Sequence, residues 1–394
     1  MLKRPRFPKT KPVLYISDVP TQSEVDTEQA YSSSSNLALQ DKLHRVGITT
    51  KEVHFTYLFY DKKKYSTIQE HFRRANSVVD IEPQSFILTE NISITLDKSL
   101  IDTNYCLWFV DNIYVSEYIL ENIREILHTI EQVRPKIIIV AGKWALYLLV
   151  GMGSFVKTRG TSKSNKPFGS LNNYRGSITT LNHNLLEVEA KTIPVYIMLP
   201  VLAYYRIPER AVLYDWDFRK LGKLYTATYI AKAKDIEITD TYSQNPVYIL
   251  KYLGKLQNLL QIEEVVVAID IETQFYTIDC VGFMCEALGN ITIAFANRTN
   301  PILLDEYTEI LYVSIIRNIL LHKNIRIVGQ NYNYDAQFLW DFWLADTTST
   351  FDTMTAWHCL YNPLVKGLST IASICCIDYK QWKDMTDWKE DTID

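Results

Sequence analysis

One stretch of the sequence decides its fold: Glu264-Val265-Val266-Val267-Ala268-Ile269-Asp270-Ile271-Glu272-Thr273. The five consecutive apolar residues from Val265 to Ile269 predict a strand buried on both faces. Side chains alternate along a strand, so Asp270 and Glu272 should point to the same side. Because an unpaired buried carboxylate is costly, two such groups beside a core strand predict a cation between them. Ligands that offer only oxygen favour Mg²⁺ or Mn²⁺.

A third carboxylate follows a second strand. Residues Ile325 to Asn331 predict that strand, and Tyr334 to Trp340 have the apolar spacing of a helix. Asp335 would then lie in the first turn of the helix, where free amides and the helix dipole favour an anion. An isolated Asp-x-Glu pair is more simply explained as a strand end that faces water. The third carboxylate favours the metal-site interpretation.

Four motifs occur in order along residues 262–394: Asp270-Ile271-Glu272-Thr273, the run from Gly329 to Leu339, Phe351-Asp352-Thr353-Met354, and the run from Lys366 to Ser373. Together they resemble the DEDD 3′–5′ exonuclease domain of bacteriophage family A DNA polymerases. The resemblance implies an RNase H-like (DnaQ-like) fold with the order strand, hairpin, helix, strand, helix. The hairpin is predicted at Val281–Ala287 and Ile291–Ala296, and the helix after it at Ile310–Leu321.

The resemblance also assigns roles to individual residues. Asp270, Glu272 and Asp335 match three of the four carboxylates that hold two Mg²⁺ or Mn²⁺ ions in that family. Asn331 and Thr273 match positions that contact nucleic acid, and Asp352 matches an aspartate with no catalytic role. Catalysis would be two-metal hydrolysis of the terminal phosphodiester at a single-stranded 3′ end.

The fourth carboxylate of the family has no clear counterpart. It belongs to a third motif, in which Tyr or His is followed shortly by Asp, as in Tyr-x-x-x-Asp. Here the residue four positions after Tyr379 is Lys383, so the spacing fails. Asp384 or Asp391 would have to act with a different geometry. We therefore expect an incomplete exonuclease site, completed by a polymerase chain that carries the third motif or by a missing C-terminal segment.

The first half of the chain predicts a separate α/β domain, since 394 residues exceed the usual size of one domain. Strand, helix and loop patterns alternate along it. The predicted elements are a strand at Val13–Ser17, a polar loop at Asp18–Ser35, a helix at Leu37–Val46, a strand at Val53–Tyr60, a helix at Val115–Val133, a strand at Lys136–Ala141, a helix at Lys143–Val150 and a final helix at Asp215–Gly222.

Residues 12–222 resemble the uracil-DNA glycosylase fold, a three-layer α/β domain, as fused to some phage DNA polymerases. The resemblance is carried by Arg134 to Gly142 and by Lys157-Thr158-Arg159-Gly160. Asp18 lies in a loop that departs from the family's motif, and Leu199 replaces its histidine. A donor lost at the uracil oxygen costs about 3 kcal/mol of barrier, so we expect little or no glycosylase activity. Tyr31 matches an aromatic residue that stacks on uracil, and we expect that it could still stack on a base. The iron–sulfur cysteines of some branches of the family are absent.

Five cations, without an acid among them, lie in the segment 157–175: Lys157, Arg159, Lys163, Lys166 and Arg175. Phe168 and Tyr174 are interleaved with them. Basic and aromatic residues in alternation suit single-stranded nucleic acid. A solvated surface loop explains the same composition equally well.

Composition sets the remaining boundaries. Residues 1–11 are predicted to be a basic arm, and residues 223–261 a linker followed by a helix. The net charge of −4 excludes a uniformly cationic nucleic-acid binder. Six cysteines without a C-x-x-C pair or a secretory signal indicate free thiols in a reducing compartment. The longest apolar run, Ile193 to Tyr205, is too short to span a bilayer, so no membrane role is expected.

The sequence therefore predicts the proofreading portion of a phage replicative DNA polymerase, in the cytoplasm of an infected bacterial host. The chain would be either a natural split subunit or a fragment. Two alternatives stay open: a non-catalytic DNA-binding or scaffold subunit of the polymerase, and a reader of uracil in DNA with residual glycosylase activity.

Overall fold

The computed structural model describes most of the chain. The described residues are 10–68, 72–74, 105–108, 113–151, 154–155, 167–168, 171–181, 192–201, 203, 210–226, 245–274, 277–296, 303–362 and 364–379. They form two compact units, the first from residues 1–233 with 372–394 and the second from residues 234–371. Within the expected domain of residues 262–394, the described residues 372–379 fall in the first unit.

The first unit alternates strands and helices, as the sequence predicts. Its elements are β1 (Val13–Ser17), α1 (Gln22–Thr27), α2 (Ser34–Arg45), β2 (Val53–Tyr57), α3 (Lys62–Ser66), β3 (Phe72–Arg74), β4 (Tyr105–Trp108), β5 (Ile113–Ser116), α4 (Glu117–Val133), β6 (Ile137–Ala141), α5 (Lys143–Ala145, followed by a π-helical turn Leu146–Val150), β7 (Ser154–Phe155), β8 (Pro167–Phe168), α6 (Leu171–Tyr174), β9 (Ile178–Thr179), β10 (Val195–Ile197) and α7 (Arg210–Thr226).

The main sheet of the first unit has the order β2-β1-β6-β10-β9. All neighbours pair in parallel except β9, which is antiparallel to β10. Every residue of β6 is buried, so both faces of the sheet are covered, as its continuous apolar run predicts. Helix α4 packs on one face, and the Tyr196 hydroxyl on the other face donates to the Asp217 carbonyl of α7.

The polar segment 18–35 was predicted to be a loop, but it contains α1. Thr21 caps this helix, because its hydroxyl and backbone N–H both donate to the Glu24 carboxylate. Glu24 is fully buried and also accepts hydrogen bonds from the Tyr57 hydroxyl and the Asn36 amide. A fully hydrogen-bonded carboxylate is tolerated in a protein interior, and its partners lie far along the chain, so the local sequence does not show the pairing.

Residues 372–379 are held in the first unit by Lys220 of α7. Its buried ammonium donates to the carbonyls of Gly176, Ser373 and Cys376 at 2.7, 3.0 and 2.6 Å. Burial lowers the pKa of Lys220 to about 8. The backbone N–H of Ile178 donates to the Tyr379 carbonyl at 2.9 Å. These contacts explain why this segment groups with the first unit.

The second unit follows the predicted order of strand, hairpin, helix, strand and helix. Its elements are α8 (Pro246–Ile262), β11 (Val265–Gln274), β12 (Thr277–Cys285), β13 (Gly289–Ala294), α9 (Glu306–Leu320), β14 (Ile325–Gly329), α10 (Tyr332–Trp343), β15 (Phe351–Asp352), α11 (Thr353–Leu360) and α12 (Leu368–Cys375), whose last residues lie beyond the boundary of the unit.

The second sheet has the order β13-β12-β11-β14-β15. Strand β12 is antiparallel to both neighbours, whereas β14 runs parallel to β11 and β15. Helices α8, α9 and α10 share one hydrophobic core with the sheet. Two mixed sheets, each packed against helices, confirm the α/β class.

Strand β11 is buried on one face rather than on both. Val267, Ile269 and Ile271 are 0%, 4% and 6% exposed, whereas Val266 is 60% exposed, and Ala268 is exposed as well. The prediction of a doubly buried strand is therefore wrong for the described residues. The apolar run misleads because valine and alanine also occupy open sheet faces.

Among the described helices, none is both long and apolar enough to cross a membrane.

Candidate metal and nucleic-acid site

Asp270 and Glu272 lie near the C-terminal end of β11. Both are exposed, whereas Ile271 between them is buried, so the two carboxylates share the open face of the sheet, as the alternation predicts. The pairing of β11 with β12 shifts register between Glu272 and Thr273. Such an irregularity bends a strand locally.

Asp335 joins this pair from the first turn of α10. Its Oδ1 accepts a hydrogen bond from the backbone N–H of Ile271 at 2.9 Å, which places it beside the backbone between the other two carboxylates. The side chain is 4% exposed. Burial, with the negative charges of Asp270 and Glu272, raises the pKa of Asp335 to about 6. A divalent cation would relieve this electrostatic cost.

The turn into α10 is built by tight packing. Asn331 has a φ of 59°, in the left-handed region that asparagine tolerates better than most residues. A Cβ on Gly329 would lie 2.7 Å from the Tyr332 ring, so no other residue fits there without displacing the ring. The Asn331 side chain is exposed, and its proposed contact with nucleic acid stays a prediction.

Asp352 organises the same turn. Its carboxylate accepts from the backbone N–H of Tyr332 at 2.7 Å and from that of Thr355 at 2.9 Å. Partial burial acts to raise the pKa of Asp352, but these hydrogen bonds outweigh it and hold the pKa below the ordinary value. The residue therefore joins the starts of α10 and α11, which agrees with a structural role.

Sequence reasoning missed an aromatic stripe that starts at the site, made of Tyr334, Phe338 and Phe342. The Tyr334 hydroxyl lies 2.7 Å from Thr273 Oγ1, so the residue predicted to contact nucleic acid is joined to the first ring. Ring centroids are 4.9 Å apart between Tyr334 and Phe338, and 6.0 Å apart between Phe338 and Phe342. The spacing of four residues is the signal that would have revealed it.

The carboxylate chemistry suits a hard divalent ion, because all three donors are oxygens. The three side chains are not yet arranged as a metal site. Among the described residues, no three His, Cys, Asp or Glu side chains are grouped closely enough to hold a metal ion. Chelation by Asp270, Glu272 and Asp335 together therefore requires their side chains to turn towards a common point.

The described part of the chain supplies no fourth carboxylate to this set. Tyr379, the best sequence match to the third motif, is buried, and Lys383, four residues after it, lies outside the described residues. Asp384 and Asp391 lie outside the described residues.

Tyr31 does not present a face for stacking on a base, so that expectation is wrong. Its ring is 5% exposed and stacks on Tyr57, with centroids 4.3 Å apart and an angle of 9° between the planes. The hydroxyl lies 2.8 Å from Ser17 Oγ and donates to the Thr56 carbonyl. A ring held on its face and at its hydroxyl is part of the core.

Asp18 and Leu199 are the two positions at which the sequence departs from the glycosylase motifs. One is a carboxylate bound to backbone amides, and the other is a buried apolar side chain. The Asp18 carboxylate accepts from the backbone N–H groups of Ala145 and Trp144 at 2.9 and 3.3 Å. Burial nevertheless raises the pKa of Asp18 to about 6. Leu199 is 4% exposed, and its side chain carries no polar atom.

The predicted basic loop is only partly described. Lys157, Arg159, Lys163 and Lys166 lie outside the described residues. Arg175 does not belong to a solvent-facing loop, because its side chain is 1% exposed and forms a bidentate pair with Asp217 at 2.7 and 3.0 Å. Its Nη1 also donates to Ser373 Oγ. A guanidinium that is buried and already paired with a carboxylate is not available to a phosphate, so the prediction that Arg175 binds nucleic acid is wrong.

No protein-family model matches the chain, and no curated protein matches it. Solved structures that it resembles include the EXD2 exonuclease domain soaked in Mn and GMP, at 15% identity over 36% of this chain and 72% of that one, with a TM-score of 0.21. The same domain soaked in Mn and Mg matches at 15% identity over 38% and 74% of the two chains, with a TM-score of 0.22. TM-scores of this size do not establish a common fold.

Proposed function

We propose that the second unit is a metal-dependent nuclease, specifically the DEDD-type 3′–5′ proofreading exonuclease portion of a phage replicative DNA polymerase. One observation carries the proposal: the buried Asp335 carboxylate lies beside the backbone between Asp270 and Glu272, and its pKa is raised towards neutrality. Acidic groups brought together at such a cost are typical of cation sites and functional sites.

Bound Mg²⁺ or Mn²⁺, two ions in a complete site, would activate a water and stabilise the leaving 3′ oxygen. Asp270 would hold both ions and Glu272 would orient the attacking water, because they share the open sheet face. Asp335 would hold the second ion from the helix side. Thr273 and Asn331 would contact the terminal nucleotide from the two elements that flank the carboxylates.

The rest of the proposal concerns partners and location. The site would be completed by a polymerase chain that carries the third motif or by a missing C-terminal segment, and would act in the cytoplasm of an infected bacterial host. The first unit, a glycosylase-like domain without its chemistry, would serve binding. Lys157, Arg159, Lys163 and Lys166 are proposed contacts to single-stranded DNA there.

The test is a nuclease assay on 5′-labelled single-stranded DNA with Mg²⁺ or Mn²⁺, using the purified chain alone and mixed with the candidate polymerase chain. We expect shortening from the 3′ end in the mixture, abolished by Asp270→Asn. The matched control is Asp341→Asn, which neutralises an exposed aspartate on α10 and should leave the shortening unchanged. Absence of shortening in a mixture in which the two chains are shown to bind would contradict the proposal.

A second candidate, a non-catalytic scaffold or DNA-binding subunit, is favoured by the lack of a preformed metal-ligand group in the described residues. Calorimetric titration with Mn²⁺ separates the two functions. A scaffold would bind the ion equally weakly with and without the polymerase chain, whereas an exonuclease site would gain affinity when that chain completes it.

A further inference from the structure

The aromatic stripe of Tyr334, Phe338 and Phe342 lies on the outer side of α10. Residues four apart on a helix share a face, and the buried residues Leu339 and Trp343 lie in the neighbouring row, about 100° round the helix. Tyr334 is 47% exposed and Phe342 is 48% exposed. The two end rings are therefore on the surface of the second unit, whereas Phe338 between them is partly buried and packs against the core.

The stripe begins at the candidate catalytic centre and leads away from it. Tyr334 precedes Asp335 in sequence, and its hydroxyl is hydrogen-bonded to Thr273, the residue after Glu272. At a rise of 1.5 Å per residue, the helix carries the stripe about 12 Å from Tyr334 to Phe342. A polymer whose end lies at the carboxylates is therefore beside the first ring of the stripe.

The side chains of α10 determine whether the helix would contact the phosphates or the bases of a nucleic acid. The helix from Tyr332 to Trp343 contains no lysine or arginine, and its acids are Asp335 and Asp341. Beyond its first turn, such a helix offers no cationic side chain to a phosphate, so the contact along the stripe would be with bases. Aromatic side chains stack on any base, at about 1–3 kcal/mol per base. Continuity with the carboxylates favours a substrate strand over a protein as the occupant.

We propose that Phe338 and Phe342 form a base-stacking platform, which binds the unpaired nucleotides that precede the 3′ end of a single strand. This inference rests on the proposed function for the identity of its ligand. The platform would make the site prefer single strands of several nucleotides, regardless of sequence, over very short ones.

The test measures binding of fluorescent single-stranded DNA by the full chain, with Ca²⁺ in place of Mg²⁺ so that no hydrolysis occurs. The variant is Phe342→Ala, and the matched control is Tyr307→Ala, which removes an 85% exposed ring from α9. For an oligonucleotide of about eight nucleotides, we expect Phe342→Ala to weaken binding by about 5- to 150-fold. Tyr307→Ala should have no effect. Phe342→Trp, which keeps an aromatic ring at this position, should bind the oligonucleotide about as well as the wild type does.

Ligand length separates stacking from a purely structural effect. Binding of a dinucleotide, which is too short to reach Phe342, should be equal in wild type and Phe342→Ala. Equal affinities for the longer strand would overturn the proposal, as would equal losses for both lengths. Loss of polymerase-chain binding with unchanged DNA binding would also overturn it, in favour of a protein-docking surface. If DNA binding depends on Phe342 but the chain cleaves no DNA under any of the conditions above, the base-stacking proposal is supported and the proposed nuclease activity is contradicted.

Discussion

Asp335→Asn should stabilise the metal-free protein at neutral pH, although it changes a buried side chain. Asn can keep the hydrogen bond from the Ile271 backbone, because its Oδ1 is also an acceptor. What it removes is a negative charge beside Asp270 and Glu272. The pKa of Asp335 rises from 3.8 to about 6 on folding. At 1.36 kcal/mol per pKa unit the ionised group costs about 3 kcal/mol, and partial solvent screening reduces this to about 2 kcal/mol.

The sign of the pH dependence follows from the raised pKa. Between pH 4 and about 6 the folded state binds more protons at Asp335 than the unfolded state does. The contribution of this group to the free energy of unfolding is therefore fully present below pH 4 and is lost as the pH rises through 6. Asp335→Asn should gain little stability at pH 4 and about 2 kcal/mol at pH 7.

The assay is urea unfolding of wild type and variant at both pH values, monitored by tryptophan fluorescence. Asp352→Asn is the matched control with the opposite sign, because the pKa of Asp352 is lowered by backbone hydrogen bonds. It should lose about 1 kcal/mol at pH 7 and less at low pH. Mn²⁺ should stabilise wild type much more than Asp335→Asn. If Asp335→Asn destabilises the metal-free protein at pH 7, the electrostatic reasoning about the carboxylate cluster is wrong.

Two further predictions concern the first unit. Asp217→Ala leaves the Arg175 guanidinium buried without its partner and should lower the free energy of unfolding by about 3–5 kcal/mol, measured by urea unfolding; a loss below 1 kcal/mol would mean that water reaches the pair. In Gly142→Ala the new Cβ would lie 2.1 Å from Asp18 Oδ1, so a lower melting temperature is expected, whereas Gly254→Ala in open space within α8 should raise it. Equal shifts would show that Asp18 moves aside freely.

Sequence patterns predicted what depends on neighbours along the chain. The alternation in β11 placed Asp270 and Glu272 on one face, and the helix-start argument placed Asp335 in the first turn of α10. Both are local consequences of backbone geometry. The continuous apolar run of β6 likewise predicted a strand with both faces covered.

Features that depend on distant partners were not predictable. Arg175 belonged to a stretch of cations in the sequence, but Asp217 of α7 pairs with it in the interior. Tyr31 is covered by Tyr57, more than twenty residues away. The face of β11 that carries Val266 is exposed because no described element covers it, and an apolar run alone does not specify whether a second layer is present.

Calorimetric titration of the purified chain with Mn²⁺ tests the central claim most directly, since every proposed role depends on an ion held by the carboxylates. We expect saturable Mn²⁺ binding by the wild type. If the polymerase chain completes the site, saturable binding is expected in the titration that contains both chains. Binding should be retained in Asp341→Asn and lost in Asp270→Asn. Identical titration curves for wild type and Asp270→Asn would contradict the claim, because the ion would then be held elsewhere or not at all.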